Sequence, residues 1–151
     1  MKLHLGTPVR GCYFVYMKLG AFCFFLNDNN EILLCKRRDK DLWNLPGGRV
    51  EYGESPWDAA LREVTEEIGV TAQIERLVGV YHKPDQDEVV FQFLARIVHS
   101  APTISDEVAD IQYFPMDKLP ENTAPRQVER IRLYAGDPAL LRLVAHASNG
   151  S

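Results

Sequence analysis

Apolar and polar positions change period several times along the chain. Met17 to Leu26 (MKLGAFCFFL) and Glu31 to Arg37 (EILLCKR) are nearly unbroken apolar runs bounded by turn residues, which predicts two buried strands. Asn27-Asp28-Asn29-Asn30 lies between them and predicts a hairpin loop, because Asn and Asp tolerate left-handed backbone angles. Leu42 to Leu45 is short and aromatic. It ends at Pro46-Gly47-Gly48, where a backbone can turn sharply or approach a ligand closely. Further on, 71–82 and 88–99 predict a pair of strands around the turn Pro84-Asp85-Gln86-Asp87, and 108–114 predicts one more. Residues 117–119 suit a single helical turn.

Two stretches carry helical spacing instead. Ser55 is a good N-cap, Pro56 suits the first helical position, and Gly69 marks the end of a helix running to about Ile68. At about 100° per residue, Trp57, Leu61, Val64 and Ile68 form one stripe expected to pack on a sheet. Glu63, Glu66 and Glu67 gather on another face, with Ala59 and Ala60 beside them leaving room for something to approach. The second helix is expected over 125–134, with Val128, Ile131 and Tyr134 inward. Strands outnumber helices, so the expected class is α+β: a mixed sheet covered by two helices.

A length of 151 residues suits one domain. Residues 1–16 read as a lead-in, 17–135 as the domain and 136–151 as a tail. No apolar run reaches the roughly 18–20 residues that cross a membrane. The run Gly11 to Leu26 comes nearest, but Lys18 and glycines interrupt it, and it reads as strands, not as a leader peptide. Its strand-like N-terminal part could serve a homodimer. A net charge of −4 disfavours a broad grip on nucleic acid, yet a nucleotide held through a metal ion remains compatible with it. Cys12, Cys23 and Cys35 form no close pair, so buried free thiols in a reducing cytoplasm are expected and a zinc site is not.

Why one short helix should crowd Glu63, Glu66 and Glu67 has two answers. A solvated acidic face would cost only tenths of a kcal/mol per like-charged pair. Alternatively, convergent carboxylates suit a hard divalent cation such as Mg²⁺, which keeps water and substrate phosphate oxygens in its other positions. Helical spacing alone does not choose between them.

The wider spacing does. Gly48, Glu54, Arg62-Glu63-Val64, Glu66-Glu67 and Gly69-Val70 fill every specified position of G-x5-E-x7-R-E-U-x-E-E-x-G-U, U being a bulky aliphatic residue. The chain thereby resembles the Nudix hydrolases. LWNLPGGRVE before this box and SDEVADIQYFPMDKLP after it (Ser105 to Pro120) are similar to the family as well. The resemblance implies an α/β/α sandwich with a mixed central sheet and two main helices. It implies hydrolysis of a diphosphate linkage in a nucleoside diphosphate joined to another group, with Mg²⁺ or Mn²⁺ as cofactor.

By the same resemblance Glu63 and Glu67 are the principal metal ligands, and Glu66 is a further ligand or orients the water. The Gly47 carbonyl is a candidate ligand. Arg62 and Glu54 form a supporting pair close to the chemistry. Glu107, or Asp106 beside it, would add a ligand or a general base. For substrate, Trp43 offers either a ring to stack on a base or a core side chain. Arg37, with Lys36 and Arg38, ends a strand near the glycine loop and offers charge for a phosphate. Pro84 lies at about the distance where ADP-ribose-cleaving relatives carry a proline, although it equally opens a turn. ADP-ribose or a nucleotide sugar is the first expectation. A nucleoside triphosphate, a non-catalytic nucleotide-binding module and an RNA 5′ end are the alternatives.

Overall fold

The computed structural model describes residues 16–147. The expectations for 1–15 and 148–151, Cys12 among them, lie outside the described residues. The elements run β1 (Lys18–Phe24), β2 (Ile32–Arg37), β3 (Trp43–Asn44), β4 (Gly47–Arg49), α1 (Pro56–Ile68), β5 (Thr71–Lys83), β6 (Glu88–His99), β7 (Val108–Phe114), α2 (Pro125–Gly136) and β8 (Arg142–Ala145). Among the described residues no helix is long and apolar enough to cross a membrane.

The strands form a five-stranded sheet, in the order β4-β1-β6-β5-β8, and a three-stranded sheet, in the order β3-β2-β7. The larger sheet is mixed: β1 runs parallel to β6 and β8 parallel to β5, while β4 and the β5–β6 pair are antiparallel. Side chains in a strand alternate faces, and here alternation divides two cores. Ala21 and Cys23 of β1, with Leu33 and Cys35 of β2, join Ala59, Ala60, Val64 and Ile68 of α1. Phe24, Ile32 and Leu34 join Ile131 and Tyr134 of α2. The result is the expected α+β sandwich, a helix on either side of the sheet layer.

Several local expectations are corrected. The Asn27–Asn30 loop does turn tightly, with Asn30 at φ 60° and the Asn27 side chain accepting from the Asn29 and Glu31 amides. The strands it joins then part into different sheets, leaving only the bridge Leu26–Ile32. Residues 84–86 form a 3₁₀ turn, and in place of a helical turn at 117–119 the chain makes a single turn closed by the Lys118 amide on the Pro115 carbonyl at 2.9 Å. On α1 the buried stripe is Ala60, Val64 and Ile68 with Ala59, whereas Trp57 is 55% exposed and Leu61 half-buried. The two alanines are therefore core residues that let α1 lie close to the sheet, and leave no space for a ligand. On α2 the inward face is Gln127, Arg130, Ile131 and Tyr134, with Val128 only half-buried. The tail contributes β8, which pairs with Gly79–His82 of β5.

Candidate active site

The site is assembled where the C-terminal half of the acidic helix meets the glycine loop. Capping fixes the helix ends. Ser55 Oγ accepts from the Asp58 amide at 3.1 Å, and Gly69, at φ 69°, donates its amide to the Thr65 carbonyl at 3.0 Å. With both ends set, the rotation that buries Val64 and Ile68 also carries Glu63 and Glu67 against β4.

Two glycines receive them. Gly47 sits at φ 144°, and a Cβ there would lie 2.3 Å from the Ala21 carbonyl oxygen. Its amide donates to Glu67 Oε2 at 3.3 Å. A Cβ on Gly48 would lie 2.5 Å from Glu63 Cδ. The bare backbone thus forms a cradle in which both carboxylates rest.

Arg62 organises the other acids. Its Nε and Nη2 donate to Glu54 at 3.1 and 2.7 Å, a fork on one carboxylate. Nη1 donates to Glu63 and to Glu66, each at 3.2 Å, and Nη2 also reaches the Arg49 carbonyl at 3.0 Å. Glu54 further accepts from the Glu51 amide at 2.7 Å. The Arg62 hydrogen bonds hold the Glu54 carboxyl below the usual carboxylate range. Glu66 is the outlier of the three helix acids: its side chain is 57% exposed and leans on Arg62 beside the cleft.

The environment pushes Glu63 and Glu67 the opposite way. Burial raises Glu67 to about 8; the Gly47 amide opposes the rise, and the nearby charges of Glu63, Glu107 and Glu66 add to it. Burial also raises Glu63, against the pull of Arg62. These two half-buried acids carry negative charge only at a cost, which a cation between them would offset.

Glu63 and Glu67 line a cleft of about 770 Å³ whose walls include Phe22, Cys35, Asn44, Leu45 and Gln127, with Gly47 and Gly48 beside them. Asp106 and Glu107 come in from the loop before β7, and Arg37, Arg38 and Asp39 from the end of β2. Arg37 is already held by Asp39 through two bonds of 2.8 and 2.6 Å. Burial pushes the Cys35 thiol far up and so keeps it protonated. Among the described residues no three acidic, histidine or cysteine side chains are gathered as a closed metal cage. The donor set nevertheless fits a hard cation: carboxylate oxygens on a backbone cradle that a single Cβ would fill, facing space for water and phosphate.

The structure therefore brings Glu63, Glu67, Gly47, Arg37 and Glu107 to one cleft, with Arg62 and Glu54 directly behind it. It does not bring Trp43 there. That ring is 7% exposed and packs edge-on against Phe114 at 5.1 Å, inside the core with Phe24 and Leu45, so Trp43 is the core side chain and not a ring open to a base. The cleft also takes in Gln127, which no motif in the sequence marks. Its Oε1 accepts from the Leu45 amide at 2.5 Å, tying α2 to the cleft wall. A polar residue on the inward stripe of α2 was the available signal.

Comparison with known proteins agrees with this architecture. The NUDIX domain family matches residues 17–134. A putative 8-oxo-dGTP diphosphatase of Bacillus subtilis (strain 168) is 40% identical over 113 residues, which are 74% of this chain and 76% of that protein. An ADP-ribose pyrophosphatase of Methanocaldococcus jannaschii is 32% identical over 103 residues, 64% of this chain and 61% of that one. Among solved structures, a NUDIX hydrolase from Nitrosomonas europaea superposes with a TM-score of 0.76 at 24% identity, over 89% of this chain and 81% of that one, a likeness of fold. A UDP-X diphosphatase structure gives 0.73 at 26%, over 87% and 69%.

Proposed function

The chain belongs to the NUDIX domain family, and on that premise we propose that it hydrolyses a diphosphate linkage in a nucleoside diphosphate joined to a further group, with Mg²⁺ or Mn²⁺ held at the cleft. The observation that carries this reading is the juxtaposition of the cradled pair Glu63 and Glu67 with Glu107 in one cleft. A merely solvated acidic face would need neither the burial nor the cradle.

Glu63 and Glu67 would hold the metal, with the Gly47 carbonyl as a further oxygen. When bound, the ion supplies charge neutralisation at the diphosphate oxygens and acidifies water. Every other requirement falls to the protein. Arg62 keeps Glu63 oriented and takes up the charge of Glu66 and Glu54. Glu107, exposed at the cleft rim, takes the proton of the attacking water, with Glu66 and Asp106 as alternative acceptors. Arg37 meets the outer phosphate, provided it leaves Asp39. The buried free thiols of Cys23 and Cys35 support a reducing, cytoplasmic setting.

Two substrate readings are carried forward. ADP-ribose or a nucleotide sugar is supported by similarity to an ADP-ribose pyrophosphatase and a UDP-X diphosphatase. A nucleoside triphosphate, oxidised purines included, is supported by the higher identity to a putative 8-oxo-dGTP diphosphatase, over about three-quarters of both chains. The second rests on the higher sequence identity. A panel of ADP-ribose, UDP-sugars, deoxynucleoside triphosphates and 8-oxo-dGTP with Mg²⁺, scored for nucleoside monophosphate, separates them. Tight nucleotide binding in EDTA with no product from any compound would instead support a non-catalytic module.

A further inference from the structure

Glu107 sits in a loop of eight residues between β6 and β7, and the sequence offers no reason for that loop to hold one shape. The structure does. Thr103 donates its amide to the Ile68 carbonyl at the end of α1, at 2.9 Å. Beyond it, 105–108 closes into a tight turn. The Ser105 amide donates to the Val108 carbonyl at 3.1 Å, and Ser105 Oγ accepts from the Glu107 and Val108 amides at 3.3 and 3.2 Å.

Beside the β2–β7 pairing of Arg37 with Val108, the Arg38 side chain ties this turn to the end of β2. Arg38 Nε and Nη2 both donate to the Ser105 carbonyl, at 3.2 and 3.0 Å, and Nη2 donates to the Val108 carbonyl at 3.2 Å. The Arg38 backbone amide adds a bond to the Glu107 carbonyl at 3.0 Å. A register shift between Lys36 and Arg37, where β2 meets β7, delivers Arg38 to this position. Among the described residues no carboxylate lies within ion-pair distance of Arg38, unlike Arg37, which Asp39 holds. A guanidinium fork matches two carbonyls at once, as a single ammonium does not.

We propose that Arg38 is a positioning residue: it clamps the 105–108 turn and so holds Glu107 at the cleft. Its loss slows the reaction through Glu107 and leaves substrate binding alone. This rests on the hydrolase reading above and on Glu107 taking part in it.

The test compares Arg38→Ala, Glu107→Gln and the double variant with wild type, on the best substrate of the panel at saturating Mg²⁺. Hydrogen exchange at the Arg38, Glu107 and Val108 amides is measured alongside. Arg38→Ala is expected to lower kcat by about tenfold to a hundredfold, the scale of a misplaced group, with KM changed less than about threefold. The double variant should be no slower than Glu107→Gln, and the three amides should exchange faster. Arg38→Lys, which keeps the charge but loses the fork, should give the same signature at smaller amplitude and guards against a folding failure of the alanine variant. A raised KM with unchanged kcat would make Arg38 a substrate contact and overturn the proposal. So would slowing that multiplies in the double variant, unchanged exchange, or full turnover by Glu107→Gln. Wild-type protein that turns over nothing would strike the hydrolase reading instead, and exchange alone would then decide whether the clamp exists.

Discussion

The carboxylate of Glu63 lies against the bare backbone of Gly48: a Cβ built on Gly48 falls 2.5 Å from Glu63 Cδ and 2.6 and 2.9 Å from its two oxygens. The contact is with the far end of a flexible side chain, so the fold can yield where the site cannot. Gly48→Ala should shift Tm by no more than a few degrees, while turnover falls on the order of a hundredfold because the ligand is displaced. Thermal melts together with steady-state rates check this pairing.

Gly47 behaves in the opposite sense. It adopts φ 144°, and a Cβ would strike backbone, 2.3 Å from the Ala21 carbonyl oxygen and 2.5 Å from Phe22 Cα. Backbone does not give way as a carboxylate does. Gly47→Ala should cost about 2–4 kcal/mol of stability, combining strain with overpacking, read as a lower urea midpoint.

The metal-free protein should lose stability as pH rises from mildly acidic to mildly alkaline. Glu67 is raised in the fold from 4.5 to about 8. Between those values the folded state binds more protons than the unfolded one, so stability falls with pH. The penalty is absent below about 4.5 and complete above about 8. Glu54 acts in the other direction, since Arg62 lowers it and the stability it adds is lost in acid. Urea midpoints in EDTA from pH 5 to 8.5 should decline, and Glu67→Gln should flatten that decline while abolishing turnover. A flat wild-type profile would count against the buried charge.

Mg²⁺ or Mn²⁺ well above its Kd should stabilise the wild-type protein at pH 8, by an amount that grows with the logarithm of the free metal concentration. The effect should shrink sharply in Glu63→Gln and Glu67→Gln. Differential scanning calorimetry with and without EDTA reads it.

The corrected face of α1 supplies a packing test. Ile68 is fully buried and Trp57 is 55% exposed. Ile68→Ala should cost about 2–5 kcal/mol, and Trp57→Ala should lie within about 0.5 kcal/mol of wild type. Chemical denaturation of the two variants distinguishes this face from a stripe centred on Trp57.

Much of this molecule was legible in its residues because the signals were local. The α1 boundaries follow from Ser55, Pro56 and Gly69, each satisfied by contacts within a few positions. Glu63 and Glu67 share a face because a helix sets their angle without help from the rest of the chain. The run of box residues is likewise a fixed-spacing object, so the family and the acidic cluster were readable before any fold was known.

Tertiary structure alone decided which groups meet that cluster. Glu107 and Arg38 are 69 positions apart and come together through the β2–β7 pairing and its shifted register. Gln127 reaches Leu45 across 82 positions. Trp57 faces water and Trp43 the core, although both are equally apolar on paper, because burial depends on which partner surface lies opposite. β8 exists because β5 exposes an edge for it to pair with. Local spacing determines what a segment can present, while long-range packing determines what it is presented to.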